Sequence, residues 1–490
     1  MTIATRIIGI IIICFVADSF AAKSEALTYL FGKRETRLVS DDNVTIQTWK
    51  SNDPYSSHMS DSGTIWQTVS EGWGGMGACN GGAPWSNIVE MDWNGNTIRT
   101  ITTEQLGGGT PHHAITLTDK GTILAIVAEN YNGRCGERLV EFDPKENKVI
   151  WTWHTNDHEG TNDPRKLKRG PNNNDPYHIN SMDLDVSSNR IVFSSHEVFE
   201  AFIIDRGNDS NAVKGNAGDI LWRIGNPSNY GVSGPQHAAH AIHSALWVKP
   251  SYPGAGNIIF YSNQSPANSN YATGYEFTPI YSLNNGGEWQ YNMVFSATNN
   301  NSQKNFSGGI DKVHNGNWII TFSNEDYKAY EFDASLGSVQ TTGNTVGSWN
   351  SAGQNGGHRY PVCGGRLLAG VKANDPEAIA LYNKAGCANS SSSSSSLVES
   401  SSSSITSINS PLVHNAGFEI KINSAQLYLN GLDPNSRVSV YDLQGNVKFN
   451  ALVHTSEYQL NTTSWESGVY FVNIVRPNKT AHRYKTILTH

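Results

Sequence analysis

Charge is scarce in this 490-residue chain: Asp, Glu, Lys and Arg together make up 16%. That is too little for a coiled coil or a long helical bundle, whose exposed faces carry many charged side chains. A basic excess is missing too. Lys plus Arg is 35 against 43 Asp plus Glu, a net charge of -8, which argues against nucleic-acid binding. There is no Walker A motif, so no P-loop nucleotide site is expected. There is no GxSxG elbow for a serine hydrolase. His196-Glu197 runs into Val-Phe-Glu, so HExxH is absent. His237, His240 and His243 form HxxHxxH, but on a strand that spacing alternates faces, and no Cys or carboxylate accompanies it. Neither a metal nor another cofactor is expected. Paired carboxylates of the glycosidase kind cannot be placed. Beyond the N-terminus no apolar run is long enough to span a bilayer as a helix.

What the chain does have is Gly (46), Trp (13) and Tyr (20), a composition that suits an all-β protein with many turns. The N-terminus, MTIATRIIGIIIICFVADSFAAKS, has a positive Arg6, an apolar run from Ile7 to Val16, and small residues before Ala21. It reads as a signal peptide over residues 1–21 and points to export. Cys14 leaves with it. The remaining four cysteines allow three pairings; Cys79 with Cys135 and Cys363 with Cys387 are favoured, because each closes a fairly local loop. Residues 389–411 are dominated by Ser, cannot bury enough apolar area to offset their ordering entropy, and read as a flexible linker. Beyond it, residues 412–490 alternate polar and apolar positions in short runs, as a small β-sandwich does. VYDLQG, SGVYFVNI and the terminal Lys485-Thr-Ile-Leu resemble the C-terminal sorting domain of the type IX secretion system. That resemblance implies the type IX machinery as a partner, passage through the periplasm of a Gram-negative bacterium, and a secreted or cell-surface location.

Residues 22–388 carry a recurring unit. Its head is a turn followed by an apolar strand: DSGTIWQTV, DKGTILAIVAE, SSNRIVFSS, GAGNIIFYSN, HNGNWIITFSN and CGGRLLAGV. A second strand follows, and KVIWTWH, DILWRIG and EWQYNMV add a Trp-bearing third. Such units, about 50 to 70 residues apart, predict a β-propeller, and six heads predict six blades. The positions at the start of each channel-lining strand are Ser57-His58, His112-His113, His178, His243, Ser307 and His358. Five of six therefore bring a histidine to what the repeat makes the channel mouth. Imidazoles near neutral pH offer nucleophile, acid and base together. With Asn180 and Arg359 they make an oxyanion site, where one ring could attack and form a covalent N-linked intermediate.

From His112 to Arg359 the chain resembles the arylsulfotransferase family. The segments that carry the resemblance are HHAITLTDKGTIL, YHINSMDLDVSSNRIVFSSHEVFEAFIID, GDILWRIGNPSNYG, HSALWVKPSYPGAGNIIFYSN and SGGIDKVHNGNWIITF. The resemblance implies a six-bladed propeller that moves a sulfuryl group from an aryl sulfate donor to a phenolic acceptor through a sulfohistidine, without a nucleotide donor. It implies His243 as nucleophile, His178 and Asn180 as sulfate-binding and acid/base partners, and His112 or His113 as a further partner. His113 joins His243 and His178 in the catalytic set, while Asn180, His112, His196, Arg359 and His237 form the substrate-binding set. His237 is also an alternative nucleophile, since Gln236-His237 keeps the family's QH pair six residues upstream. Relatives carry Arg in an SSR motif where this chain has His196. A protonated His196 is therefore expected to supply the missing charge, and to lose it above about pH 6.5. The competing expectation is a noncatalytic exported propeller that binds a sulfated or glycan ligand.

Overall fold

A computed structural model of the chain describes residues 26–361, 374–384 and 419–488, apart from 73–84 (Cys79 excepted), 208–217, 235–239, 265–270, 300–307, 323–327, 351–356, 476–480 and several shorter stretches. The expected signal peptide, residues 1–21, and the expected linker, residues 389–411, lie outside the described residues. The chain divides into two compact units, Met1–Ser395 and Ser396–His490.

The first unit is an all-β propeller. Five of its sheets are built on four-stranded antiparallel meanders, and the fourth of these is extended by Val339–Thr341, which runs parallel to Trp289–Asn299. They begin with the strands Ser57–Met59, Thr110–Leu117, Ile179–Asp185, Ile242–Trp247 and Gly308–Lys312. These five are blades. A further sheet joins the two ends of the unit: Gly357–Pro361 pairs with Ala26–Gly32, which continues into Glu35–Val39 and Thr45–Lys50. The CGGRLLAGV head lies outside the described residues, and Ala26–Gly32 stands in that sheet where a head strand would.

The recurring heads have a conformational cause. Each turn before a blade's second strand needs a left-handed residue, and Gly63, Gly121, Asn189, Gly256 and Gly316 supply it with φ between 54° and 100°. Glycine adopts that region without the Cβ penalty, and Asn tolerates it best among the rest. The Trp-bearing strands have a cause as well. Trp49, Trp151 and Trp222 are fully buried on the last strands of their sheets. Each passes its indole N–H to a backbone carbonyl of the following sheet: Asp92 at 3.0 Å, Arg206 at 2.9 Å and Gln290 at 2.7 Å. A buried indole N–H left unpaired would cost about 1–3 kcal/mol, so these bonds also fix how neighbouring sheets meet.

The core is divided among the sheet-to-sheet interfaces. The largest cluster packs Leu124, Trp151 and Trp153 of one blade on Ile179, Phe193 and Phe202 of the next. Another joins Val39 of the end-joining sheet to Ile319, Ala329 and Trp349 of the Gly308–Asn350 blade. In the second unit, sheets containing Gln426–Asn430 and Ser436–Asp442 share one core of Leu427, Leu429, Val438, Val440, Val472 and Ile474. The alternating run Gln426–Asn430 turns its two leucines inward, as period-2 patterning requires. Among the described residues no helix is long and apolar enough to cross a membrane.

Cys79 and Cys135 form a disulfide across 56 residues, as the local-loop argument expected; Cys363 and Cys387 lie outside the described residues. Closing a loop of that length removes about 4 kcal/mol of chain entropy from the unfolded state. Cys79→Ser should therefore lower the unfolding free energy by up to about 4 kcal/mol in denaturant titrations under oxidising conditions. An unchanged midpoint would show that the bridge constrains nothing.

Candidate functional site

Three consecutive inner strands begin with a β-bulge. Pairing shifts between His112 and Ile115, between Ile179 and Ser181, and between Ile242 and Ser244. The residue at or beside each irregularity is left-handed: His113 at φ 51°, His178 at 49° and Ala241 at 51°. For a residue with a Cβ this costs about 1–2 kcal/mol each. The bulges re-aim side chains that a regular pleat would turn aside.

The histidines are thus not all in one phase. His178 corresponds to Ala241, since each carbonyl accepts the N–H of the residue just past the second strand: His196 at 3.0 Å and Asn263 at 3.3 Å. His243 then occupies the bulge position that Asn180 holds one blade earlier, and Asn263 stands where His196 stands. Different steps of successive strands converge because the strands are splayed around a common channel.

The result is a chain of ring contacts. His113 lies 4.9 Å from His178, His178 lies 5.0 Å from His196, and His196 lies 5.6 Å from His243, all between centroids. His112 sits behind His113, with Nδ1 2.8 Å from His113 Nδ1 and Nε2 3.0 Å from Glu137 Oε1. Its side chain is closed off from solvent, so His113, not His112, faces the cluster. Glu137 also accepts the Ile179 N–H, at 3.0 Å, which ties the start of the next inner strand to this pair. Asn180 donates to Ile242 O at 3.0 Å, the carbonyl just before His243. Its Oδ1 is buried and takes no hydrogen bond among the described residues. Asn263, a residue that sequence reasoning missed, places its side-chain amide 2.7 Å from His243 Nδ1, and Ala241 O lies 3.4 Å from the same nitrogen. Its only sequence signal is the alignment of SSHEV with YSNQS, which becomes visible once the blades are superposed.

Electrostatics separates the rings. Burial, reinforced by His178, His112 and their neighbours, holds His113 well below the ordinary imidazole value. Burial, with the charges of His196 and His178, does the same to His243, outweighing Ala241 O and Asn263. His196 is pushed down to about 4 by burial and by His178. His178 moves the other way: burial lowers it, but the 2.6 Å hydrogen bond and the charge of Asp175, with Glu137 and Glu197 beyond, raise it above its ordinary value. The expectation of a protonated His196 is therefore corrected. That ring is neutral at neutral pH, since its Glu197 neighbour stands 3.9 Å away, and the ring whose pKa is raised is His178, hydrogen-bonded to Asp175 at 2.6 Å.

Two other expected positions lie elsewhere. His58 and His358 are 5.8 Å apart near the opposite, turn-bearing ends of the inner strands. There they line a cavity of about 90 Å³ with Thr116, Asp183, Leu246 and Asp311. Asp183 is three residues beyond Asn180 on the same strand, about 10 Å along it. His358 is paired with Asp311 at 2.8 Å, and His58 is pushed down to about 3 by burial, His358 and Lys249. They do not join the four-ring cluster. Arg359 follows His358 on Gly357–Pro361, and its side chain lies outside the described residues, as does His237. Among the described residues no group of three or more His, Cys, Asp and Glu side chains is placed to hold a metal ion.

The arrangement sets one imidazole with a raised pKa, His178, among three that burial pushes down, His113, His196 and His243. The arylsulfotransferase (ASST) family model matches residues 31–304, more than half of the chain, and the chain belongs to that family. Membership supports a sulfotransferase activity and implies an aryl sulfate donor with a phenol acceptor. The model of the secretion system C-terminal sorting domain matches residues 411–488, which indicates export to the cell surface or secretion from a Gram-negative bacterium by the type IX route. No curated protein matches the chain. Among solved structures, the periplasmic gluconolactonase of Pseudomonas aeruginosa is similar at 10% identity and a TM-score of 0.37, over 89% of this chain and 98% of that one. Sqt1 from Chaetomium thermophilum is similar at 10% identity and a TM-score of 0.34, over 67% of this chain and 72% of that one. Likeness at this level carries no argument about substrate.

The charge assignment has a pH signature. His178 has a raised pKa when folded, so its pairing with Asp175 stabilises the fold fully below the unfolded value of about 6.5, and that contribution is lost as pH rises through the folded value. Transfer that needs the imidazolium should fall over the same alkaline range. Asp175→Asn leaves burial unopposed by its main counterweight, so the alkaline limb of kcat should move to lower pH. A limb that stays in place in the folded variant would remove His178 from the acid role.

Proposed function

We propose that the protein transfers a sulfuryl group from an aryl sulfate to a phenol in two steps, with His243 as the covalent carrier. The observation that supports this most directly is the unbroken series of ring contacts from His113 to His243, assembled from three blades, with only the carboxylate-paired ring favouring a proton. With the Asn263 amide turned so that Oδ1 faces His243 Nδ1, Asn263 and Ala241 O both accept the Nδ1 proton. That orientation also gives the otherwise unbonded Asn263 Oδ1 a partner and leaves Nε2 with its lone pair.

In the first step Nε2 attacks sulfur, the S–O bond to the aryl group breaks, and its electron pair goes to the aryl oxygen. That oxygen takes the proton from His178. The positive charge that grows on the His243 ring is held at Nδ1–H by the two acceptors. In the second step a phenol oxygen attacks sulfur, its proton passes to the now neutral His178, and the N–S bond breaks back to His243. The buried Asn180 Oδ1 is an acceptor, suited to orient the phenol O–H; one of its amide N–H groups is already spent on Ile242 O. The imidazolium of His178 also offsets the negative sulfuryl oxygens, a task that relatives share with the Arg replaced here by His196. We further propose that the sheet of Gly357–Pro361 and Ala26–Lys50 is the sixth blade, closing the ring through the Val39–Trp349 cluster. The two sheets of the second unit form a β-sandwich that serves export and not catalysis.

Intact mass after incubation with 4-nitrophenyl sulfate alone should show one added sulfuryl group, and initial rates should be ping-pong. His243→Ala should abolish both adduct and turnover. An adduct that persists in that variant would move the nucleophile to another ring, His237 included. Deleting residues 389–490 should leave turnover of the folded first unit unchanged, measured with the same donor and added phenol. Loss of activity in a folded truncated protein would refute the division of labour.

A further inference from the structure

Phe199 occupies a place where an aromatic side chain is hard to accommodate. Residues 196–199 form the turn between paired Ser195 and Glu200, and Phe199 ends it at φ 58°. Left-handed positions in tight hairpins favour Gly or Asn, and this chain uses Asn132 and Gly133 in the corresponding hairpin of the preceding blade. A bulky residue there is a conformational outlier that persists only where its surroundings force it.

The surroundings do force it. Asn229 donates to Val198 O and to Glu200 Oε2, both at 2.9 Å. The fully buried guanidinium of Arg223 grips the carboxylate of Glu200. Gly225 packs so closely that a Cβ there would stand 2.1 Å from Phe199 O. A hairpin clamped this way holds Phe199 at the edge of the histidine cluster, its ring 6.4 Å from that of His196. On its other side the ring lies flat on His240, at 4.1 Å between centroids and 12° between planes. His240 is itself pinned, since its N–H and C=O both bond Ser262 Oγ, at 3.0 and 2.7 Å. Burial lowers the pKa of His240, so the pair is an uncharged aromatic surface. Both side chains keep part of their surface open to solvent.

We propose that Phe199 and His240 form the plate that receives the aromatic ring of the donor and of the acceptor, beside the point where sulfur is transferred. This rests on the reading of the cluster as a sulfuryl-transfer site. An aryl group stacked or edge-on against a fixed ring gains a preference over an alkyl group of up to about tenfold. The left-handed turn is then the device that turns this ring toward the histidines and away from the core.

Binding is best read without turnover, in the His243→Ala protein, by calorimetry with phenyl sulfate and methyl sulfate. Phenyl sulfate should bind about tenfold more tightly than methyl sulfate. Phe199→Gly, which fits the positive φ, should erase most of that difference, leave methyl sulfate unchanged and unfold no earlier than its parent. His240→Ala, which leaves the hairpin intact, should also narrow the difference. If both folded variants keep the full preference, the plate is overturned while methyl sulfate binding upholds the sulfuryl site. If neither sulfate binds the parent, the sulfuryl site fails and the plate with it.

Discussion

Imidazoles packed about 5 Å apart away from water cannot all carry protons, because each added charge faces its neighbours through a medium that screens poorly. The arrangement around His178 follows from this constraint. The ring with an acidic partner, Asp175, holds a proton above the ordinary imidazole range, and His113, His196 and His243 are driven below it. In the proposed transfer a buried, neutral His243 serves as the lone-pair donor, and His178, one ring beyond His196, serves as the acid. The two roles arise from one electrostatic competition, so a change at Asp175 acts on the whole cluster.

Holding the rings this close has a conformational cost. Left-handed His113 and His178, bulges at the starts of three inner strands and the outlying Phe199 together oppose folding by several kcal/mol. The blades supply the compensation. The interface that holds Trp151, Trp153 and Phe193 is buried and apolar, and the indole N–H groups of Trp49, Trp151 and Trp222 register their sheets against the next. Buried pairs such as Arg223–Glu200 tie the hairpins beside the cluster to the same frame. Strain sits at one end of the inner strands, and close-packed apolar side chains along the rest of the sheets hold it there.

Much of the architecture was legible in the chain. The heads from DSGTIWQTV to HNGNWIITFSN became second strands of five blades because a left-handed turn followed by β-branched and aromatic residues has few other outcomes. Alternation in AQLYLNGL placed Leu427 and Leu429 in the core of the second unit for the same local reason. The gathering of His113, His178 and His243 was legible too, since each stands near the start of an inner strand. Their phase was not. Counting residues from the repeat put His58 and His358 with the others, although they stand near the far ends of the strands, and it treated His178 and His243 as equivalent when a bulge separates their positions. Asn263 and Phe199 went unseen although both lie in the quoted segments, because Asn263 reaches His243 only through strand pairing within its blade and Phe199 meets His240 by stacking across blades.

The sequence by itself determined the all-β class, the sheet-by-sheet repeat and the residue types at the cluster, and favoured the Cys79–Cys135 bridge among three pairings, because turn chemistry, period-2 patterning and loop length act within short stretches of chain. Only the tertiary structure decided which ring has its pKa raised, which nitrogen of His243 is left free, and that His112 stands behind His113. Those outcomes depend on burial and on partners whose approach within about 3 Å needs the folded blade: Asp175 in the loop before His178, Glu137 on a strand of His112's own sheet, and Asn263 just past the strand paired with that of His243.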